Sequence, residues 1–447
     1  MTEFDVAIVG GGFSGCAVAA HLARSPEQGF SVALFEPEPL GRGAAYGSPH
    51  RELLLNTRAF QMSLYGSDPD HFVRWLGPRA GRMEFASRRL YGDYVAEIAE
   101  HCFSRPRYER VPERVESVRR GIGDRFIVET ANGCFFARSV VLATGNPLPN
   151  DDFLPLEVRL HAGYVADPWR FDYRAVGGQV LVIGSGLSAL DVVVALKSCG
   201  HRGHVHILSR HRRFPEVHAD VAPYDVVPAL EASGAGALLR SFRRHVRDAA
   251  ARGFDWRAVV DAIRPESEAL WRRLSQPEQR RFERHLRGLW ERHRHRAPIQ
   301  VDAVAQAYRN GGRLNAYAGR LAGMRRGTVT IAGRDGTTIA LHPDWIVNCS
   351  GVGRTSAMVR DRLLRGMLAD GTISADPRGV GLRATSSLAA INSQGSPVSG
   401  LWIVGPPARG SRFEATTVPE LRAMAELVAS QILNAMRYER WEGRQQA

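Results

Sequence analysis

The sequence predicts an α/β protein with two Rossmann-like domains and a helical insertion between them. Three observations carry that prediction. A glycine-rich turn, set between an apolar strand-like run and an apolar helix-like run, occurs at residues 10–15 and again at 184–189. Residues 225–306 change to amphipathic helical periodicity, rich in Arg, Leu, Trp and Glu, and strand-like runs return only from residue 327. A pattern that alternates strands with helices is the signature of parallel sheets with crossover helices.

Taken in order, residues 4–9 (FDVAIV) form a continuous apolar run, as a strand buried on both faces requires. A helix from about 14 to 24 and a second strand at 31–36 (SVALFE) follow. The run 139–143 (SVVLA) empties into Thr144-Gly145-Asn146-Pro147, a strand followed by a loop. After a Pro- and Asp-rich stretch the opening pattern repeats: strand 179–183 (QVLVI), turn 184–189, a helix to about 198 and a strand at 204–208. Further strands are expected at 327–331, 338–341, 345–348 and 401–404, and a closing helix near Pro419, a residue suited to a first helical turn. The simplest assembly builds one domain from residues 1–165 plus 325–447 and a second from 166–222 plus 307–324, with 223–306 as the helical insertion.

Composition narrows the function classes. The chain has 447 residues, 44% hydrophobic and 23% charged, with no low-complexity tract, so a folded chain of two or three domains is expected. The net charge of +13 rests almost wholly on arginine, because Lys197 is the single lysine among 59 basic residues. No zinc-finger spacing, RNP-like strand or basic tail accompanies it, so no nucleic-acid partner is expected. Five scattered cysteines without a CxxC pair, and the lack of a signal-peptide pattern, suit a reduced cytoplasmic setting. No apolar run approaches the roughly 20 residues of a membrane span. Without an HExxH, a cysteine pair, a GxSxG elbow or a Walker lysine, no metal site, hydrolase or NTPase is expected.

The glycine turns carry the chemistry. In Gly10-Gly11-Gly12-Phe13-Ser14-Gly15, Gly10 permits the tight turn, Gly12 admits a pyrophosphate to the backbone and Gly15 lets helix and strand pack. The helix start then offers amide donors and a positive dipole. Glu36, at the end of the next strand and 21 positions after Gly15, is placed to accept from the ribose hydroxyls of an adenosine. The second turn, Gly184-Ser185-Gly186-Leu187-Ser188-Ala189, has Ser209-Arg210 where the first has its acid. A carboxylate there would repel a 2′-phosphate, whereas an arginine fork and a hydroxyl attract it, which favours NADPH at this site.

The chain resembles a group of bacterial FAD/NAD(P)-binding oxidoreductases related to flavin-dependent monooxygenases, some of which N-oxidise amino acids. The resemblance spans nearly the whole length and rests on GGGFSG, Gly41-Arg42-Gly43-Ala44-Ala45-Tyr46-Gly47, the Leu55-Asn56 and Met62-Ser63 segments, and Ser87-Arg88-Arg89-Leu90-Tyr91-Gly92-Asp93-Tyr94. Further on it includes ATGNP, GSGLSALD, SRHRRFPEVH, His293-Arg294-His295-Arg296, Gly405-Pro406-Pro407 and Val418-Pro419-Glu420. It implies FAD at the first turn. Arg42 and Tyr46 would lie along its pyrophosphate and ribityl chain, Asn56, Gln61 and Met62 would approach the flavin, and Thr144 and Gly145 would cover the adenine half. Gly405 and Glu420 would complete the site. One departure stands out: the FxGxxxHxxxW-like signature of Baeyer–Villiger and N-oxide-forming relatives has no FxG here, although the stretch retains His161, Tyr164, Asp167 and Trp169.

His218, after Phe214-Pro215, is a candidate proton donor near the nicotinamide, with a structural role as the plainer reading. Arg294 belongs to an alternation of Arg292, Arg294 and Arg296 with two histidines before Pro298. In a helix these arginines cannot share a face; unwound, they could clamp a substrate carboxylate. The leading expectation is an NADPH-reduced, FAD-dependent monooxygenase that uses molecular oxygen on a small substrate such as an amine or amino acid. The alternatives are a reductase passing electrons to a quinone or partner protein, and a non-catalytic flavin-binding sensor.

Overall fold

The computed structural model describes residues 2–27, 29–123 and 125–445. The chain divides into two compact units: residues 1–51, 57–150 and 352–447 form the first, and residues 52–56 and 151–351 the second.

The first unit begins with β1 (Thr2–Val9) and β2 (Val32–Phe35), joined through the helix Phe13–Ala23. It continues through β3 (Tyr108–Val111), β4 (Val115–Arg120), β5 (Phe126–Thr130) and β6 (Cys134–Leu142). β1 lies between β2 and β6, parallel to both, with Val6 opposite Val32 and Val9 opposite Leu142. Val6, Ala7 and Ile8 are almost fully buried, which explains why the strand is apolar without alternation. The helix Phe13–Ala23 covers one face and packs against the helix Arg88–Phe103 and the closing helix Val418–Gln445.

The second unit adds β7 (Tyr164–Val165), β8 (Val180–Ile183), β9 (Val205–Ser209), β10 (Leu314–Arg325), β11 (Thr328–Gly333), β12 (Thr338–Leu341) and β13 (Trp345–Asn348). They form one sheet in the order β12-β11-β10-β9-β8-β13-β7. The helix Leu187–Ser198 crosses from β8 to β9, and the helix Ile299–Asn310 packs beside it. Their apolar faces meet the sheet in a core that includes Val180, Val193, Leu196, Ile207, Ala305 and Tyr308. Each of the Val, Leu and Ile side chains among them contributes about 1.5–3 kcal/mol on burial. The chain then returns to the first unit, where β15 (Pro397–Ile403) runs parallel to β6 and β14 (Ala389–Ile391) lies antiparallel at the edge. No described helix is long and apolar enough to cross a membrane.

The expected domain limits shift. β10 pairs in parallel with β9 through residues 314–318 and then antiparallel with β11 through 319–325, so a boundary after residue 324 would cut one continuous strand. Strand β13 bonds to both β8 and β7, which places residues 164–165 and 345–348 in the second sheet as well. The helical region is also shorter than residues 223–306. Its first helix starts at Ala235, its last ends at Arg294, and Ile299–Asn310 belongs to the layer over the sheet.

Candidate functional site

The first glycine turn is fixed by backbone collisions that only glycine avoids. Gly10 has φ +107°, and a Cβ there would lie 2.4 Å from the Ala143 carbonyl oxygen; a Cβ on Gly15 would lie 1.9 Å from that of Gly10. Gly12 differs. Its φ of −72° suits any residue, and the nearest atom to an added Cβ is Gly43 Cα at 3.5 Å, an ordinary contact. The protein itself does not require glycine at this position. The helix that follows has no side-chain cap and no acid in its first turn, which leaves its amide donors available to an anion. Glu36 Oε2 accepts from the Gly11 amide at 2.8 Å and Oε1 from the Glu38 amide at 3.0 Å, so the carboxylate is held at the turn with lone pairs to spare. Beside it, Thr144 Oγ1 and Asn146 Oδ1 are buried without a hydrogen-bond partner among the described residues. Gly145 follows Thr144 with φ +75°.

The second turn repeats this construction. Gly184 has φ +114° and a Cβ there would lie 2.0 Å from the Cys349 carbonyl oxygen, while a Cβ on Gly186, with φ −80°, would meet nothing within 4 Å. Leu187 and Ser188 open the uncapped helix, and Ala189 is fully buried where the first turn has Gly15. Ser185 Oγ stands 2.9 Å from Ser209 Oγ and 2.7 Å from the Arg213 carbonyl oxygen. A hydroxyl has one proton and the carbonyl can only accept, so when Ser185 donates to Arg213 the Ser209 proton closes the pair. Arg210, the next residue, is exposed.

The other expected residues fall into distinct groups. Arg42 donates to the Arg89 carbonyl at 3.1 Å and pairs with Asp93, so its guanidinium is engaged with the helix Arg88–Phe103. Tyr46 is buried edge-on to Tyr91 at 4.8 Å, and burial pushes its phenol up to about 12. Gly92 permits both contacts, since a Cβ there would lie 2.9 Å from Arg42 Nη1. Gln61 ends a short 3-10 turn and Met62 is buried behind it. Gly405, with φ +87°, passes Ser14 so closely that a Cβ would lie 2.5 Å from its hydroxyl, which ties the C-terminal segment to the first turn. Glu420 stands in the first turn of the closing helix.

Asn56 belongs to the second unit, whereas Gln61 and Met62 belong to the first. Leu53 anchors that short segment in the second core, and the Asn56 carbonyl accepts from His218 Nε2 at 3.0 Å. That bond ties His218 to residues 52–56. The arginine clamp does not assemble: Arg292 pairs with Glu216 and Arg296 with Asp261, each at 2.5 Å. Arg294 is buried at the end of the helix Arg287–Arg294, close enough to Glu291 to help lower its carboxyl. Local patterning missed Asn146 and Arg334, the latter hydrogen-bonded to His211. Only the orphaned oxygen and the strand register bring them forward.

Residues 7–147 match a family model described as FAD-NAD(P)-binding, and residues 80–223 match one described as L-lysine 6-monooxygenase/L-ornithine 5-monooxygenase. No curated protein matches the chain. Among solved structures, the ornithine N-hydroxylase of Kutzneria sp. 744 is similar with a TM-score of 0.61 at 18% identity, over 97% of this chain and 100% of that one. The cadaverine monooxygenase of Erwinia amylovora gives 0.64 at 13%, over 97% and 95%. A bacillithiol disulfide reductase of Staphylococcus aureus gives 0.61 at 13%, over 97% and 99%. At these identities the likeness is one of fold, and that fold is common to oxygenating and reducing flavoproteins.

Proposed function

From the premise that the chain is an FAD/NAD(P)-binding oxidoreductase with two Rossmann-like domains, we propose that it is an NADPH-reduced monooxygenase of small primary amines or amino acids. The observation that carries the oxygenating reading is the match of residues 80–223 to the lysine/ornithine monooxygenase model. The state of the cysteines supports it. A disulfide reductase needs a reactive thiolate. Here burial pushes the Cys16 thiol up to about 12 and the Cys102 thiol up to about 11, and it raises Cys199 and Cys349 as well. All five cysteines are free thiols, and Cys16 donates to the Gly11 carbonyl at 3.1 Å.

The residues present fit both nucleotides. Gly12 and Gly186 are the two fingerprint positions where a Cβ would displace a ligand and no part of the chain. The uncapped helix starts would donate to the two pyrophosphates, and Glu36 would accept from the FAD ribose. Thr144 Oγ1 and Asn146 Oδ1 would find in the cofactor the partners the protein withholds, since a buried polar atom left unmade costs about 1–3 kcal/mol. Bound FAD supplies acceptance of hydride from NADPH and, once reduced, the electrons that activate oxygen. The balanced reaction converts an amine, O2, NADPH and a proton into a hydroxylamine, water and NADP+. Arg210 would set the preference for the 2′-phosphate, and His218 would hold residues 52–56 in place through the Asn56 carbonyl.

The test measures NADPH-dependent oxygen uptake with L-ornithine, L-lysine and cadaverine, together with hydroxylamine product. One equivalent of hydroxylamine per NADPH is expected with at least one amine. Rapid electron transfer to a quinone or a disulfide, with no hydroxylated product from any amine, would overturn the proposal in favour of a reductase.

A further inference from the structure

Arginine is abundant in this chain, and many of its copies are neutralised by a carboxylate, as Arg292 and Arg296 are. Arg210, Arg212 and Arg213, which follow β9, and Arg334, in the turn between β11 and β12, are among those that pair with no carboxylate among the described residues.

Strand register brings these two segments together. Ser209, the last residue of β9, lies opposite Ala318 of β10, and the Ala318 carbonyl accepts from the Arg334 amide at 2.9 Å. Arg334 Nη1 then donates to His211 Nδ1. Two glycines keep the hairpin that carries Arg334 tight: a Cβ on Gly319 would lie 2.4 Å from the Ala332 carbonyl oxygen, and one on Gly333 would lie 2.3 Å from Thr337 Oγ1. The adjacent acid is engaged within its own turn. Asp335 Oδ1 accepts from the Thr337 amide at 3.1 Å and from its hydroxyl at 2.7 Å, bonds that hold its carboxyl below the usual range. Loss of hydration, followed by the guanidiniums of Arg334, Arg213 and Arg210, likewise holds the His211 imidazole below its ordinary value. At neutral pH it is therefore the acceptor in the bond with Arg334. The result is a concentration of positive charge at the end of β9, where a ribose carried by the second glycine turn would present its 2′ position. The Ser209 hydroxyl is already committed to Ser185, so the cation from the neighbouring hairpin supplies what the loop lacks.

We propose that Arg334, carried by the β11–β12 turn and oriented by His211, is a second ligand of the adenosine 2′-phosphate and, with Arg210, determines the choice of NADPH over NADH. The proposal rests on the reading that the second glycine turn holds the nicotinamide dinucleotide. It places a specificity determinant 124 positions beyond Arg210 in the sequence.

Isothermal titration of the full-length protein with NADPH, NADH, adenosine 2′,5′-bisphosphate and 5′-AMP provides the test, with no turnover required. Arg334→Ala should weaken NADPH and the bisphosphate roughly 10- to 100-fold, the scale of one charge-assisted hydrogen bond, and leave NADH and 5′-AMP unchanged. Arg334→Lys should recover part of the loss, because it keeps the charge and gives up the fork. The control is Arg326→Ala, in the turn between β10 and β11, which removes the same charge and should change nothing. If wild-type protein binds NADPH tightly and Arg334→Ala binds it equally well, the role of Arg334 is refuted and the dinucleotide reading survives. If wild-type protein binds none of the four ligands, the dinucleotide reading itself fails. An equal loss for NADPH and NADH, or an equal effect of Arg326→Ala, also refutes the assignment, because it would mean a folding defect or diffuse charge.

Discussion

Gly186→Ala separates what the second glycine turn does for the protein from what it does for a ligand. Gly186 has φ −80° and ψ −168°, an extended conformation open to alanine, and an added Cβ meets no heavy atom within 4 Å. The ligand-free fold therefore accepts the methyl group. Reduced freedom of the unfolded chain should raise stability by about 0.4–1 kcal/mol. A pyrophosphate at the first turn of the helix Leu187–Ser198 would meet that methyl group instead of open backbone. Displacing it from even one amide forfeits a charge-assisted hydrogen bond of about 1.5–3 kcal/mol, equivalent to roughly a 10- to 150-fold weaker Kd. Urea denaturation reads the first quantity and calorimetric titration of NADPH the second. The expected signature is a midpoint that is unchanged or higher, together with weaker binding. A variant that unfolds more readily yet binds NADPH as wild type does would show that the glycine serves the backbone, and the argument for a ligand cradle would fall.

Gly184→Ala should behave in the opposite way, because its φ of +114° and the 2.0 Å approach to the Cys349 carbonyl put the strain in the protein itself. A loss of at least about 2 kcal/mol is expected by urea denaturation, and an unchanged midpoint would contradict that collision. The helical region should weaken in acid through Glu291. Partial loss of hydration alone would push that half-exposed carboxyl up, but the charge and hydrogen bond of His295, with Arg287 and Arg294, outweigh it and bring it from 4.5 down to about 2. A carboxyl depressed on folding contributes stability that is full above its unfolded value and is lost as pH falls toward the folded one. Wild-type stability should therefore decline between about pH 4.5 and 2 more steeply than that of Glu291→Gln; parallel curves would remove Glu291 from the account.

The parts of the fold that were legible in the sequence depend on short-range rules. Both glycine turns, the strands before them and the helices after them follow from φ requirements and apolar periodicity within a few residues, as at Gly10, Gly15 and Gly184. The edges of the units did not follow in this way. β3, β4 and β5 are short and partly exposed, so their patterns are faint. β10 changes partner in mid-strand without any break in its sequence. The Arg292, Arg294 and Arg296 alternation suggests a clamp because local spacing says nothing about the acids that meet it, Glu216 and Asp261, which arrive from other parts of the chain.

Neighbouring residues alone reveal two anion-ready turns, with Glu36 by the first and Arg210 by the second and no cysteine pair beside them. It took the folded chain to show that Gly12 and Gly186 leave room the chain does not use, that Thr144 and Asn146 keep buried oxygens without partners among the described residues, and that Arg334 comes to His211. The physical reason is that free space, hydrogen-bond satisfaction and charge balance are sums over everything within a few ångströms. In a parallel sheet, those neighbours come from strands more than a hundred residues apart, as Ser209 and Ala318 do.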